Sequence, residues 1–299
     1  MTILVTGATG FIGTNLTQLN HNFRCVVRLG EHHSFSDSYA VQTIDASTDW
    51  SNCFDGVDAI IHLAGLAHSK SYTDSEYQAV NAEGTLRLAL KAAEAGVKRF
   101  VFISSIGVNG TNSFDSPFLP SDVANPQNSY ARSKYEAELG LWDIANQTDL
   151  EVVIVRPTLV YGSKAPGNFG MLTKLVKYMP FLPFGLANNR RDFISVSNLV
   201  DLLVVCAKHK NAPGNIFLAS EGNTLSTKEF VNALASGQGR KVCQIPIPVS
   251  LMRLAGFISG RSTMIEQLFG NLEVDSSNIK EQLNWEPLHS MKDTMAMLR

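Results

Sequence analysis

Cysteine is scarce and unclustered in this chain of 299 residues. Its four thiols, Cys25, Cys53, Cys206 and Cys243, form neither a CxxC pair nor a Cys/His spacing. That excludes a metal site of the usual kinds and predicts reduced thiols used for packing. Charge is thin and even, with 25 Lys and Arg against 27 Asp and Glu and no run of one sign. A nucleic-acid footprint and a polybasic membrane patch are therefore not expected. Long hydrophobic runs are missing too. Leu199–Ala207 is too short to span a bilayer and carries Asp201. No charged segment precedes an apolar one at the start, where the first strand begins at Thr2. The expectation is a cytoplasmic protein with no membrane and no nucleic acid as partner. With 44% hydrophobic residues the chain can bury a large core, as one domain or two coupled ones.

What is present begins at once. Residues 1–13 read MTILVTGATGFIG, an apolar strand running into Gly7-x-x-Gly10-x-x-Gly13. Gly7 permits a tight strand-to-helix turn, Gly10 lets backbone approach a pyrophosphate, and Gly13 lets the next helix pack closely on the strand. Strand-like runs at 3–6, 24–28, 59–63, 99–104 and 151–156 alternate with helical patterns. This alternation predicts an α/β fold, a Rossmann-type doubly wound parallel sheet. Residues 79–95 form a predicted helix closed by Gly96, and 129–146 a second. After Gly162 proline and glycine punctuate the chain. We read 1–162 as the dinucleotide-binding domain, with returning segments near 187–219. Residues 163–186 and 220–299 then make a smaller, interleaved substrate-binding region. The returns at 192–196 and 215–219 are candidates for further strands of the first sheet.

Tyr130 and Lys134 stand at i and i+4, on one face of the helix that starts near Ser129. A neighbouring ammonium and the positive charge of an oxidised nicotinamide favour the phenolate, so such a tyrosine can exchange a proton with a sugar hydroxyl. The same spacing also fits a surface Tyr and Lys that merely share a face. Upstream, Ser104 and Ser105 end a buried-type strand at the carboxyl edge, where open α/β sheets bind ligands. Ser105 is placed to hold the reacting oxygen, unless both serines only cap the strand. At the end of the second strand Arg28 presents a guanidinium suited to a 2′-phosphate, which favours NADP(H). Glu31 nearby keeps NAD(H) open.

With these motifs in one order, the chain resembles the extended short-chain dehydrogenases/reductases, in the NAD-dependent epimerase/dehydratase family that acts on nucleotide sugars. The match runs through Gly7-x-x-Gly10-x-x-Gly13, His62-Leu63-Ala64-Gly65, Asn81 with Gly84-Thr85, Ser104-Ser105, Tyr130-x-x-x-Lys134, Arg156-Pro157, Tyr161-Gly162, Arg191-Asp192-Phe193-Ile194 and 283–287. The resemblance implies catalysis by Ser105, Tyr130 and Lys134. It implies cofactor contacts from Gly7, Gly10, Phe11, Ile12, Gly13, Arg28, Asp45, Leu63, Ala64, Gly65, Asn81, Ser104, Tyr130, Lys134 and Pro157. Substrate contacts fall to Ser105, Asn168 and Arg191, with Arg191 on the diphosphate of a UDP-linked sugar. Arg191 could instead pair with Asp192, and Asn168 and Asp45 could be ordinary loop residues. A homodimer through helices 79–95 and 129–146 is implied as well.

Departures from the family pattern narrow the reaction. Where its sugar dehydratases carry Thr-Asp-Glu, this chain has Ser105-Ile106-Gly107, and Ile106 and Gly107 cannot move protons. Leu159, Ser195, Ser197 and Asn198 also differ from the family residues and leave substrate detail open. Hydride chemistry at C4 remains. The expected activity is reduction of a 4-keto sugar for polysaccharide synthesis, as in the UDP-glucose 4-epimerase-like group that includes the UDP-N-acetylquinovosamine-forming reductases. The alternatives are 4-epimerisation of a UDP-hexose and, more remotely, a non-catalytic NADP-sensing module.

Overall fold

The computed structural model describes residues 1–66 and 72–298. Its strands are β1 (Thr2–Thr6), β2 (Asn22–Arg28), β3 (Ser38–Val41), β4 (Ala59–His62), β5 (Arg99–Ile103), β6 (Glu151–Pro157), β7 (Leu159–Tyr161), β8 (Phe181–Leu182), β9 (Phe193–Ser195), β10 (Ile216–Ala219) and β11 (Cys243–Gln244). The α-helices are α1 (Phe11–Leu16), α2 (Asp74–Tyr77), α3 (Gly84–Glu94), α4 (Ser129–Gln147), α5 (Gly167–Tyr178) and α6 (Val196–Lys208), then α7 (Thr227–Gly237), α8 (Val249–Ile258), α9 (Ser262–Phe269), α10 (Ser277–Leu283) and α11 (Met291–Ala296).

Seven strands form one sheet in the order β10-β6-β5-β4-β1-β2-β3, and every pairing is parallel. Continuous apolar runs explain this: all five residues of β5 and all four of β4 are buried, so both faces must be covered. Alternation along the strands then splits the core in two. Ile3, Val5, Val101, Ile103, Val153 and Val155 pack with α6 on one side. Leu4, Ile60, Phe100, Phe102, Val152 and Ile154 pack with α3 and α4 on the other. The strand order reverses between β1 and β4, and a crevice opens beyond their carboxyl ends at such a reversal. The predicted doubly wound parallel sheet is what the chain forms.

Two expectations need correction. The return at 215–219 joins the sheet as β10 beside β6, but 192–196 does not: β9 pairs with β7 in a separate two-stranded ribbon. Three buried residues satisfy either partner equally, so the pattern alone could not choose. The predicted helix over 79–95 is also not uniform. Gln78–Glu83 is π-helical and runs into α3, which ends as expected near Gly96 at φ +78°. A side chain on Gly84, at that junction, would meet the Ile44 carbonyl carbon at 2.9 Å, so glycine lets α3 lie directly on the Ile44–Asp45 backbone. A third apolar cluster, around Tyr161, Phe169, Phe193 and Phe230, joins α5, α7 and α9 above the sheet edge.

Candidate active site

The glycine turn has no room for alternatives. Gly7 lies at φ +69°, and a Cβ there would come within 2.8 Å of the Ala64 nitrogen. A Cβ on Gly13 would sit 2.2 Å from the Gly7 carbonyl oxygen. Gly10 donates its N–H to that carbonyl at 3.0 Å and exposes bare backbone. Phe11 and Ile12 open α1 and pack on the cores below. The turn thus presses β1 against the segment Leu63-Ala64-Gly65 after β4.

A buried chain of hydrogen bonds fixes that juncture. Thr6 Oγ1 accepts from the Ala64 N–H at 3.2 Å and meets His62 Nδ1 at 2.7 Å. His62 Nε2 meets Thr85 Oγ1 at 2.9 Å, and Thr85 donates to the Asn81 carbonyl at 2.7 Å. Because each hydroxyl has one proton, a single assignment satisfies all four contacts: Thr6 donates to Nδ1 and Nε2–H donates to Thr85. Asn81 continues the chain, accepting from the Leu66 N–H at 2.7 Å and donating to Ser133 Oγ at 3.1 Å. His62 is wholly buried, and burial, helped by the Lys134 charge, pushes its imidazole down to about 3. In the unfolded chain it titrates near ~6.5. The unfolded state therefore binds the extra proton first, and stability present above about 6.5 falls as the pH drops toward about 3. Unfolding free energies of the wild type and His62→Gln, measured in urea, should differ by roughly 2 kcal/mol at neutral pH and converge in acid.

The Tyr130 helix approaches the same juncture from the other side. Lys134, 3% exposed, donates from Nζ to the Ile103 carbonyl at 2.9 Å and lies 4.6 Å from the Phe102 ring centroid. It is therefore not a surface lysine sharing a face with a tyrosine. Burial lowers its ammonium to about 8, against the opposing pull of Glu138. A Cβ on Gly65 would lie 2.8 Å from Asn81 Oδ1 and 3.3 Å from Lys134 Nζ, so the glycine segment and the lysine meet there. Burial pushes the Tyr130 phenol up to about 12, its hydrogen bond with Ser105 draws it down, and Tyr77 adds to the rise. Ser105 Oγ also accepts from the Gly107 N–H at 3.1 Å, which aims the hydroxyl as the cap of a 3₁₀ turn. Ser104 next to it is 1% exposed and its hydroxyl has no partner among the described residues. Such an orphan at a strand end calls for a ligand.

Beyond Tyr130 opens a cleft of about 350 Å³. Ser105, Ile106, Tyr130, Pro157, Leu159, Asn168, Phe193 and Arg191 line it, with Gln267 and Leu268 of α9. Among the described residues no carboxylate lines this cleft, and Arg191 is the one cation that does. Arg191 is 7% exposed and donates from Nη1 to the Gly270 carbonyl at 2.9 Å. It does not pair with Asp192, whose carboxylate instead accepts from Thr224 and the Val274 N–H. Loss of hydration lowers the Arg191 guanidinium to about 10. Asn168, exposed at the start of α5, donates to Gln267 Oε1 at 2.8 Å.

The structure brings Ser105, Tyr130, Pro157, Asn168 and Arg191 to one cleft, and gathers Lys134, Asn81 and Gly65, with the glycine turn against Leu63 and Ala64, at the carboxyl ends of β1 and β4. Two expected residues, near the ends of β2 and β3, lie outside this cleft. Asp45 is held in its own loop by Thr43, Ser47 and Thr48, which keep its carboxyl below the usual range. Arg28 is exposed at the end of β2, while the Glu31 carboxylate accepts its backbone N–H at 3.1 Å. Sequence reasoning missed Thr6, Gln267 and Glu138. Glu138 accepts from Nε of Arg156 at 2.9 Å and also binds its Nη2, with both side chains buried directly behind Lys134. Its signal was its place one turn after Lys134, on the face that Tyr130 and Lys134 share.

Residues 3–219 match the sequence profile of the NAD dependent epimerase/dehydratase family. A UDP-glucose 4-epimerase of Vibrio cholerae is 39% identical over 302 aligned residues, covering 97% of this chain and 92% of that protein. Among solved structures, the UDP-N-acetylglucosamine 4-epimerase of Bacillus cereus superposes with a TM-score of 0.81 at 18% identity, covering 100% of this chain and 98% of the other. The UDP-glucose 4-epimerase of Thermotoga maritima, solved with UDP-glucose, gives 0.79 at 21% identity, covering 100% and 97%. These two likenesses establish the shared fold.

Proposed function

The chain belongs to the NAD dependent epimerase/dehydratase family, and from that membership we propose that it is a 4-epimerase of a UDP-linked hexose or N-acetylhexosamine. The observation that carries this reading is the cleft itself, which the described residues line with one phenol able to move a proton, one buried cation and no carboxylate. Among the described residues that line the cleft, none supplies the second acid/base pair that water elimination requires.

The residues present fit a nicotinamide dinucleotide. Gly7 and Gly13 shape a turn that any side chain would fill, and the Ser104 hydroxyl awaits a partner. Gly7 to Gly13, Leu63, Ala64, Gly65, Asn81, Ser104, Lys134 and Pro157 would hold it, with Arg28 and Asp45 toward its adenosine end. When bound, the dinucleotide supplies a hydride acceptor for C4 and the source of the returning hydride. Ser105 holds O4 by the hydroxyl that already faces Tyr130. Tyr130 takes the O4 proton and gives it back once the sugar has turned. At about 12 its phenol is an acid at neutral pH, so it serves as base only when positive charge is placed beside it. Lys134 supplies part of that charge, and Arg191 anchors the diphosphate while the apolar wall of Ile106, Leu159 and Phe193 lets the hexose rotate. The 39% identical relative, a UDP-glucose 4-epimerase, supports epimerisation over reduction. Leu90 and Leu139, exposed on α3 and α4, suit the homodimer expected through these helices.

One observation favours a second reading. The Arg28 side chain has no partner among the described residues and stands where a cofactor 2′-phosphate would be met, which suits a reductase consuming NADPH. Incubation of purified enzyme with UDP-glucose or UDP-N-acetylglucosamine, without added cofactor, separates the two. The expected result is interconversion with the C4 epimer. No interconversion, together with NADPH oxidation by a UDP-4-keto sugar, would establish the reductase.

A further inference from the structure

Charge is even over the whole chain but segregated along it. No acidic residue occurs between Glu151 and Asp192, nor between Glu229 and Glu266. These two stretches contain α5, β8, β11 and α8. Lys174, Lys177, Lys241 and Arg261 within them are exposed. Among the cations of α5 and α8, Arg253 has an acidic partner, Glu266 at 2.8 Å.

The same stretches carry an apolar surface that the chain does not cover. On α8, Leu254 is 54% exposed, Phe257 76% and Ile258 77%. On α5, Leu175 and Tyr178 face outward beside Lys174 and Lys177. The ribbon of β8 and β11 joins the two helices: Phe181 lies opposite Cys243, both exposed, and alternation places exposed Ile245 on the same side. The surface thus runs from α5 across the ribbon to α8. It is the outer side of the cleft wall, since Phe169 and Leu172 of α5 line the cleft and α8 packs on α9, which contributes Gln267 and Leu268.

We infer that this face docks on an anionic phospholipid surface. Exposed aromatic and aliphatic side chains interspersed with lysine and arginine match what the boundary between headgroups and acyl chains accepts. A second copy fits poorly, because a two-fold contact through this face would set its cations against their own equivalents. Docking of this kind needs no spanning segment, and none of the described helices is long and apolar enough to cross a membrane. The evenly balanced total charge concealed the face from sequence reasoning.

Sedimentation of the full chain with vesicles tests this. The protein should pellet with phosphatidylethanolamine/phosphatidylglycerol vesicles, not with phosphatidylcholine alone, and less in high salt. Lys174→Gln/Lys177→Gln should weaken partitioning roughly tenfold or more, and Phe257→Ser/Ile258→Ser should abolish it with an unchanged thermal midpoint. Failure of the wild type to bind anionic vesicles overturns the inference, as does undiminished binding by the serine variant. If sedimentation equilibrium shows that Phe257→Ser/Ile258→Ser turns a dimer into a monomer, the face belongs to a second copy and the inference is wrong.

Discussion

Tyr130→Phe should lower kcat by roughly 10³-fold or more, the scale expected when the only acid/base group of a reaction is removed. Among the described residues no other group in the cleft can replace it: the hydroxyls of Ser105 and the threonines are far too weak as acids, Arg191 keeps its proton at neutral pH, and no carboxylate lines the wall. Folding should survive, because Phe keeps the ring that packs edge-on against Tyr77 at 6.1 Å between centroids and gives up the hydroxyl that bonds Ser105. KM should change little, since O4 is still held by Ser105. Steady-state kinetics with a thermal melt as control would check this. A variant retaining a tenth of wild-type kcat would remove Tyr130 from the chemistry.

Glu138→Ala should be the most damaging substitution to stability outside the hydrophobic core. Arg156 and Glu138 are 3% and 2% exposed at their side chains, and Nη1 of Arg156 also donates to Asn109 Oδ1 at 2.8 Å. Removing the carboxylate leaves a guanidinium buried without compensation, a loss of about 3–5 kcal/mol. Replacing both charges, as in Glu138→Ala/Arg156→Met, should recover part of that loss, because the desolvation cost disappears with the arginine. Urea unfolding of the wild type and the two variants decides it, and equal destabilisation of the single and double variants would refute the pairing. Lys134 offers a second readout. Glu138 holds the Lys134 ammonium up against burial, so its loss should move that titration further below about 8.

The sheet and the heart of the site were legible because each rests on a local pattern. Ile3-Leu4-Val5 followed by Gly7 and Gly13 leaves one conformation open, and Tyr130 and Lys134 share a face by helix geometry alone. What sequence could not give depends on partners far along the chain. Arg156 meets Glu138 across 18 residues and two elements, and β9 chooses β7 over the main sheet through contacts that no periodicity encodes. The π-helical turn at Gln78–Glu83 reads as ordinary helix, because its extra residue alters no apolar spacing that the pattern could register. Asp45 shows the reverse problem. An acidic residue after a strand resembles an adenine contact, and no sequence pattern shows that Thr43 and Ser47 also bond its carboxylate within the loop. Arg191 was ambiguous until Asp192 was seen to turn away toward Thr224 and Val274.

The central claim is that a single phenol inverts C4 while the hydride is kept within the protein and returned to the same carbon. UDP-glucose carrying deuterium at C4 tests it directly. The UDP-galactose formed should keep its deuterium at C4, with no hydrogen acquired from water and no net change in nicotinamide oxidation state. Loss of the label from the product, or failure to form the product at all, would contradict the account.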